Sequence, residues 1–297
     1  VGYGNYSYAA HEALVKKRER VAVEKVFTQR SCHPLMDPRG VRARESRDSA
    51  DHPNSIAIAF MLDVSGSMGE IPALMATQLL PRFMKILQDV KVPDPQVMFA
   101  AVSDANCNRA PLQVGQFEST AELMDKWLTL LFLEGGGQGP QESYELAMYF
   151  LAMHTSMDCF DKRGRRGYMF MTGDEVPYPA LSRKHVESVL GDRIDDDLKT
   201  EQVVAELVKT YRPFFVIPDL ARRRACERTW RDMIGDHVLC METPQDVCLV
   251  TAGAVALCEK AVSDVDALGR ALRDAGTPPD RVASTIRTLK PLAEVTR

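Results

Sequence analysis

Residues 55–68 read SIAIAFMLDVSGSM, and this stretch decides the fold class. Residues 56–62 are apolar without interruption and end at Asp63. A strand covered on both faces has such a continuous run, whereas a half-exposed strand alternates apolar and polar residues. After Asp63 the chain turns through Val64-Ser65-Gly66-Ser67 into a helical pattern over 70–90, where Pro72 is tolerable in the first turn. A buried strand that feeds a helix is the repeating unit of α/β proteins.

The same alternation continues along the chain. Further strands are expected at 96–103, 111–117, 167–172, 213–217 and 237–241. Helices are expected at 120–133, 141–157, 182–190, 199–209, 221–234 and 244–261. The second and third strands are too close for a helical crossover, so they should form an antiparallel hairpin. The predicted architecture is therefore α/β and doubly wound: a mostly parallel central sheet with one antiparallel edge strand and helices on both faces. This domain should span 55–262. Residues 1–54 read as an N-terminal arm with one helix over 10–28, wrapping the core or a partner; a disordered leader is the alternative. Residues 263–297 read as a C-terminal extension of two short helices, parted by Gly276-Thr277-Pro278-Pro279.

Composition narrows the function classes. With 45% hydrophobic and 26% charged residues the chain can bury a substantial core. A net charge of −4 gives no global attraction to nucleic acid or to an anionic membrane. The 7 cysteines form no CxxC pair and fall partly in apolar runs, as reduced core thiols of a cytoplasmic protein would. No leader pattern is visible at the start, and no apolar run approaches the roughly 20 residues of a membrane span. A cytoplasmic protein without nucleic-acid or membrane partners is expected.

The chemistry concentrates at Asp63, Ser65 and Ser67. In open α/β sheets, ligands bind outside the carboxyl ends of the strands. One carboxylate and two hydroxyls at such an end are hard oxygen donors, suited to Mg²⁺, with Mn²⁺ or Ca²⁺ as alternatives. The competing reading makes both serines helix caps.

An Asp-x-Ser-x-Ser segment after the first strand resembles the metal-ion-dependent adhesion site of the von Willebrand factor A family, and the order of elements extends the resemblance over 55–261. It implies two further ligands, a Thr from a second loop and an Asp from a third. In the third loop, residues 167–174 (GYMFMTGD) end in Asp174, the implied ligand, with Glu175 as a substitute. The family more often has Thr-Asp-Gly where this chain has Thr172-Gly173-Asp174; a plain surface-turn Asp is the alternative. The second loop, residues 134–143 (EGGGQGPQES), contains no Thr. Glu142 or Gln138 takes its place, and Glu142 is preferred because a carboxylate binds a hard cation better than an amide. Its alternative is a helix-start Glu favoured by the helix dipole. The implied metal set is thus Asp63, Ser65, Ser67, Glu142 and Asp174. Asp104, after the second strand, either orients a bound water or caps a turn.

The resemblance implies a non-enzymatic interaction module, an adaptor or scaffold in an intracellular multiprotein complex. Bacterial members of the family are frequently linked to MoxR-type AAA+ ATPases, and a protein partner can reach the ion through an acidic residue. Three carboxylates would already neutralise the ion, which lessens its need for a partner's acid. Two alternatives stay open: a Mg²⁺-dependent hydrolase or phosphotransferase, and a metal-independent structural subunit. Against the first, Ser65 stands where dehalogenase-type phosphatases carry a second Asp. The Asp195-Asp196-Asp197 run reads as a solvated turn. Arg222-Arg223-Arg224 and the Lys162, Arg163, Arg165, Arg166 cluster read as exposed faces.

Overall fold

In a computed structural model, which describes residues 4–136 and 139–296 apart from the Ser67 side chain, each apolar run becomes a strand of one sheet. The strands are β1 (Ile56–Asp63), β2 (Pro95–Val102), β3 (Leu112–Val114), β4 (Gly167–Thr172), β5 (Tyr211–Ile217) and β6 (Val238–Cys240). They form a 6-stranded sheet in the order β6-β5-β4-β1-β2-β3. All neighbours are parallel except β2 and β3, which pair as the expected antiparallel hairpin with Ala100 opposite Val114. The winding leaves β1 towards β2 and later returns on the other side with β4, so the switch point lies between β1 and β4. That is where such sheets open a crevice.

Every residue of β1 is buried, and the two faces divide its side chains by parity. Ile56, Ile58, Phe60 and Leu62 join one core, while Ala57, Ala59 and Met61 join the other. On the first face Phe60 stacks between Phe99 and Phe170, each at 5.6 Å, and Phe170 stacks on Phe214 at 5.1 Å. These rings tie four adjacent strands together, and each buried Phe contributes about 1.5–3 kcal/mol of burial. Helices Leu80–Asp89 and Val247–Cys258 cover that face, and helices Tyr144–Met153 and Thr200–Thr210 cover the other. Val247–Cys258 is buried on nearly every side because the C-terminal helices Val265–Asp274 and Pro279–Val295 pack outside it. They approach so closely that a Cβ on Gly253 would lie 2.6 Å from Leu289 Cδ1.

Several local expectations need correcting. The helix predicted over 10–28 is broken into Tyr8–Lys16 and Val23–Val26. The helix over 70–90 passes through a π turn at Met75–Leu79, just before Pro81, whose ring nitrogen cannot continue the i→i−4 ladder. The helix predicted over 141–157 keeps only Tyr144–Met153. Residues Gln141–Glu142 instead pair with Val176–Pro177, and Thr155–Met157 pairs in parallel with Arg44–Ser46 of the arm.

The arm is fastened by charge as well as by that ladder. Asp48 accepts hydrogen bonds from Ser55 Oγ at 2.7 Å and from Arg163 at 2.6 Å. Arg47 donates to Asp158 at 2.9 Å, and Lys162 bridges to Asp158 at 2.7 Å. Arg163, expected on an exposed face, is therefore an anchor of the arm, whereas Lys162 is exposed as expected and reaches Asp48 at 3.6 Å. Arg18 makes a two-pronged contact with Asp125, its second prong 2.7 Å long. Among the described residues no helix is long and apolar enough to cross a membrane.

Candidate metal centre

Asp63 is the last residue of β1, at the switch point, and it is fully buried. Its Oδ1 accepts a hydrogen bond from the Ser65 backbone N–H at 2.7 Å, and its Oδ2 accepts one from the Tyr144 hydroxyl at 2.5 Å. Burial nevertheless pushes the carboxyl up to about 6, against the pull of Ser65 and Tyr144 and with Asp174 adding to the rise. Ser65 occupies the cap position of the short 3₁₀ turn Gly66–Gly69, yet its side chain makes no capping bond. Its hydroxyl is turned to Asp63 instead, so the helix-cap reading fails for Ser65. The Ser67 side chain and Gln138 lie outside the described residues.

The second loop is stitched to the first by backbone bonds. Gly66 N–H donates to Gly136 O at 2.8 Å, and Gly135 N–H donates to Val64 O at 3.2 Å. The chain then enters the two-residue ladder with Val176–Pro177, which joins the second loop to the third. Glu142 sits in that ladder, before the helix rather than in its first turn. The helix-start explanation of Glu142 therefore gives way. Its side chain is completely buried, and neither carboxylate oxygen has a hydrogen-bond donor. Burial, then Asp63, Glu175 and Asp104, raise its carboxyl far above the ordinary range.

In the third loop Asp174 follows β4, as expected, but it is already paired with a cation. Its side chain is 18% exposed and faces the guanidinium of Arg222 at 3.5 Å. Arg222 also pairs with Asp219 at 3.2 Å and donates to the Met68 sulfur at 3.1 Å, linking three loops. It was expected on an exposed face and is instead a cation on the rim of the site. Glu175 turns inward: its backbone carbonyl is held by Trp230 Nε1 at 2.9 Å, and its carboxyl comes within hydrogen-bonding reach of Glu142. Burial, then Asp63 and Asp174, raise Glu175 as well. Gly173 is obligatory here, because a Cβ would run into the Tyr144 hydroxyl that reaches Asp63.

Asp104 performs the turn role. Burial alone would raise its carboxyl, but donors from the Asn106 backbone at 2.9 Å and side chain at 3.0 Å hold it below the ordinary range.

The donor set is oxygen-only and acidic, with buried carboxylate oxygens that no N–H or O–H reaches. Such a set is costly without a cation and suits a hard divalent ion. Among the described residues no three Asp, Glu, His or Cys side chains converge as a ready-made cage. An ion here would draw part of its shell from hydroxyls and water, as Mg²⁺ commonly does.

No family model matches the chain, and no curated protein does. Among solved structures it is similar to the pilus adhesin SpaC from Lactobacillus rhamnosus GG in its open conformation, at 10% identity and TM-score 0.48. That match covers 71% of this chain and 31% of the adhesin. It is also similar to proximal thread matrix protein 1 from the mussel byssus, a structure with a zinc-occupied MIDAS motif, at 11% identity and TM-score 0.39. There the match covers 70% of this chain and 47% of the matrix protein. The chain thus spans less than half the length of either neighbour. The sheet order itself, not these likenesses, defines the fold.

Sequence reasoning placed Asp63, Ser65, Glu142 and Asp174 at one edge, and the structure brings them there. It missed Tyr144, which reads as one more apolar residue of a core helix, and Arg222, whose partners come from other loops.

Proposed function

We propose that this chain is a non-enzymatic interaction module of the von Willebrand factor A type, whose loop edge depends on a divalent cation, Mg²⁺ in the first place. The observation that carries this reading is the buried Glu142 carboxylate, which has no donor and faces Asp63. Asp63, the Ser65 and Ser67 hydroxyls and carboxylates of the second and third loops would hold the ion. When bound, the ion supplies charge neutralisation that fixes the three loops relative to one another. With so many carboxylates present, the ion has little affinity left for a partner's acid. The partner is then a protein that recognises the ordered edge more than the ion itself. An adaptor or scaffold role in an intracellular complex, with a MoxR-type AAA+ ATPase among the partners, follows from the family resemblance.

The test is affinity capture with the wild-type chain and with Asp63→Ala, each with Mg²⁺ and with chelator. A partner retained only by wild type with Mg²⁺ supports the reading. Partners indifferent to both changes would mark a metal-independent structural subunit. Phosphatase activity that needs Mg²⁺ and Asp63 would replace the module by an enzyme.

A further inference from the structure

The third loop offers adjacent acids that differ sharply in their surroundings. Asp174 already has a cation: Arg222 stands 3.5 Å away and is itself held by Asp219 and the Met68 sulfur. Asp174 also keeps part of its side chain in solvent. Glu175 is also partly exposed, but among the described residues no cation pairs with it. Its Oε2 is buried without a donor, and its carboxyl comes within hydrogen-bonding reach of another carboxyl, that of Glu142. Both Glu142 oxygens lack a donor too, and Glu142 is completely shielded from water. The facing backbones are locked by the ladder that sets Gln141 opposite Val176 and Glu142 opposite Pro177. The ladder therefore keeps the backbones that carry the two acids side by side.

Two carboxyls held together, one wholly buried and the other with a buried oxygen, need either a shared proton or a cation. Resting on the cation-binding reading above, we propose that the third-loop carboxylate serving the ion is Glu175, acting with Glu142 and Asp63. Asp174 is withheld from the ion by Arg222. The ligand set is then displaced by one residue from the position the family resemblance implies. It follows Gly173, which has no Cβ to meet the Tyr144 hydroxyl. Asp174 and Arg222 become an internal ion pair at the rim, joining the third loop to the start of helix Arg223–Ile234.

The experiment is calorimetric titration of the full chain with Mn²⁺ and with Mg²⁺, using wild type, Asp63→Ala, Glu142→Gln, Glu175→Gln and Asp174→Asn. Melting curves in chelator check the fold of each variant. The expected result is a loss of at least about tenfold in affinity for Glu175→Gln and Glu142→Gln, with Asp174→Asn within about threefold of wild type. In chelator, Glu175→Gln should melt higher than wild type, because it replaces one of two facing carboxyls by an amide donor. A tenfold loss in Asp174→Asn, or unchanged affinity in Glu175→Gln, overturns the assignment of Glu175. Equal binding by wild type and Asp63→Ala, or none by either, overturns the cation site itself, which separates the two failures.

Discussion

The Tyr144 hydroxyl donates to Asp63 Oδ2 across 2.5 Å, joining the first turn of a helix to the end of the central strand, both wholly buried. The contact is possible because Gly173 has no side chain to block it. It gives the most enclosed acid of the site a fixed orientation, which is the role of a second layer of residues around a metal.

Tyr144→Phe keeps the ring in place against Phe215 and Trp230 and removes only that donor. It should destabilise the protein by about 1.5–3 kcal/mol, the range for a hydrogen bond to a charged group. Mn²⁺ affinity should fall by about tenfold or more. Urea unfolding and calorimetric titration of the same preparation check both numbers.

The acidic site makes stability depend on pH in a definite direction. Folding raises Asp63 to about 6 and Glu145 to about 8, both chiefly by burial, and it raises the Glu142–Glu175 pair as well. The folded chain therefore binds more protons than the unfolded chain above the ordinary carboxylate range of about 4. Stability without metal should be fully present below that range and fall as pH rises through about 6 to 8. A cation competes with those protons, so the rise in melting temperature on adding Mg²⁺ should be small at pH 5 and large at pH 8. Scanning calorimetry at the two pH values decides it.

The arm should behave as a structural part of the domain. Asp48→Ala removes the acceptor of the Ser55 hydroxyl and leaves the Arg163 guanidinium with the Ser55 carbonyl alone. A cost of about 1–3 kcal/mol is expected. Limited proteolysis should then cut within 1–54 sooner than in wild type. Equal cleavage rates would show that the charge clamp contributes nothing to holding the arm.

Much of this organisation is legible in the chain because long-range order follows from short-range pattern. Uninterrupted apolar runs such as 56–62 and 167–172 can only be covered on both faces, which dictates a parallel sheet and places Asp63 and Asp174 at its carboxyl edge. The close spacing of 96–103 and 111–117 dictates the antiparallel edge in the same way. The short polar ladders carry no such pattern. Arg44–Ser46 and Gln141–Glu142 become strands only because distant segments lie beside them. Site roles follow the same rule. Asp63 advertises itself through its own neighbours, Ser65 and Ser67. Arg222 and Glu175 are defined by Asp174 and Glu142, residues that only folding brings near. Tyr144 is apolar in pattern and polar in effect, and one hydroxyl inside a core helix leaves no periodic trace.

The central claim is that the edge around Asp63 holds a divalent cation, and Mn²⁺ titration of the full chain beside Asp63→Ala tests it most directly. Saturable binding at a single site in wild type, lost in Asp63→Ala while the melting curve in chelator persists, is the predicted result. Absence of binding in wild type, or equal binding in the two proteins, would contradict it.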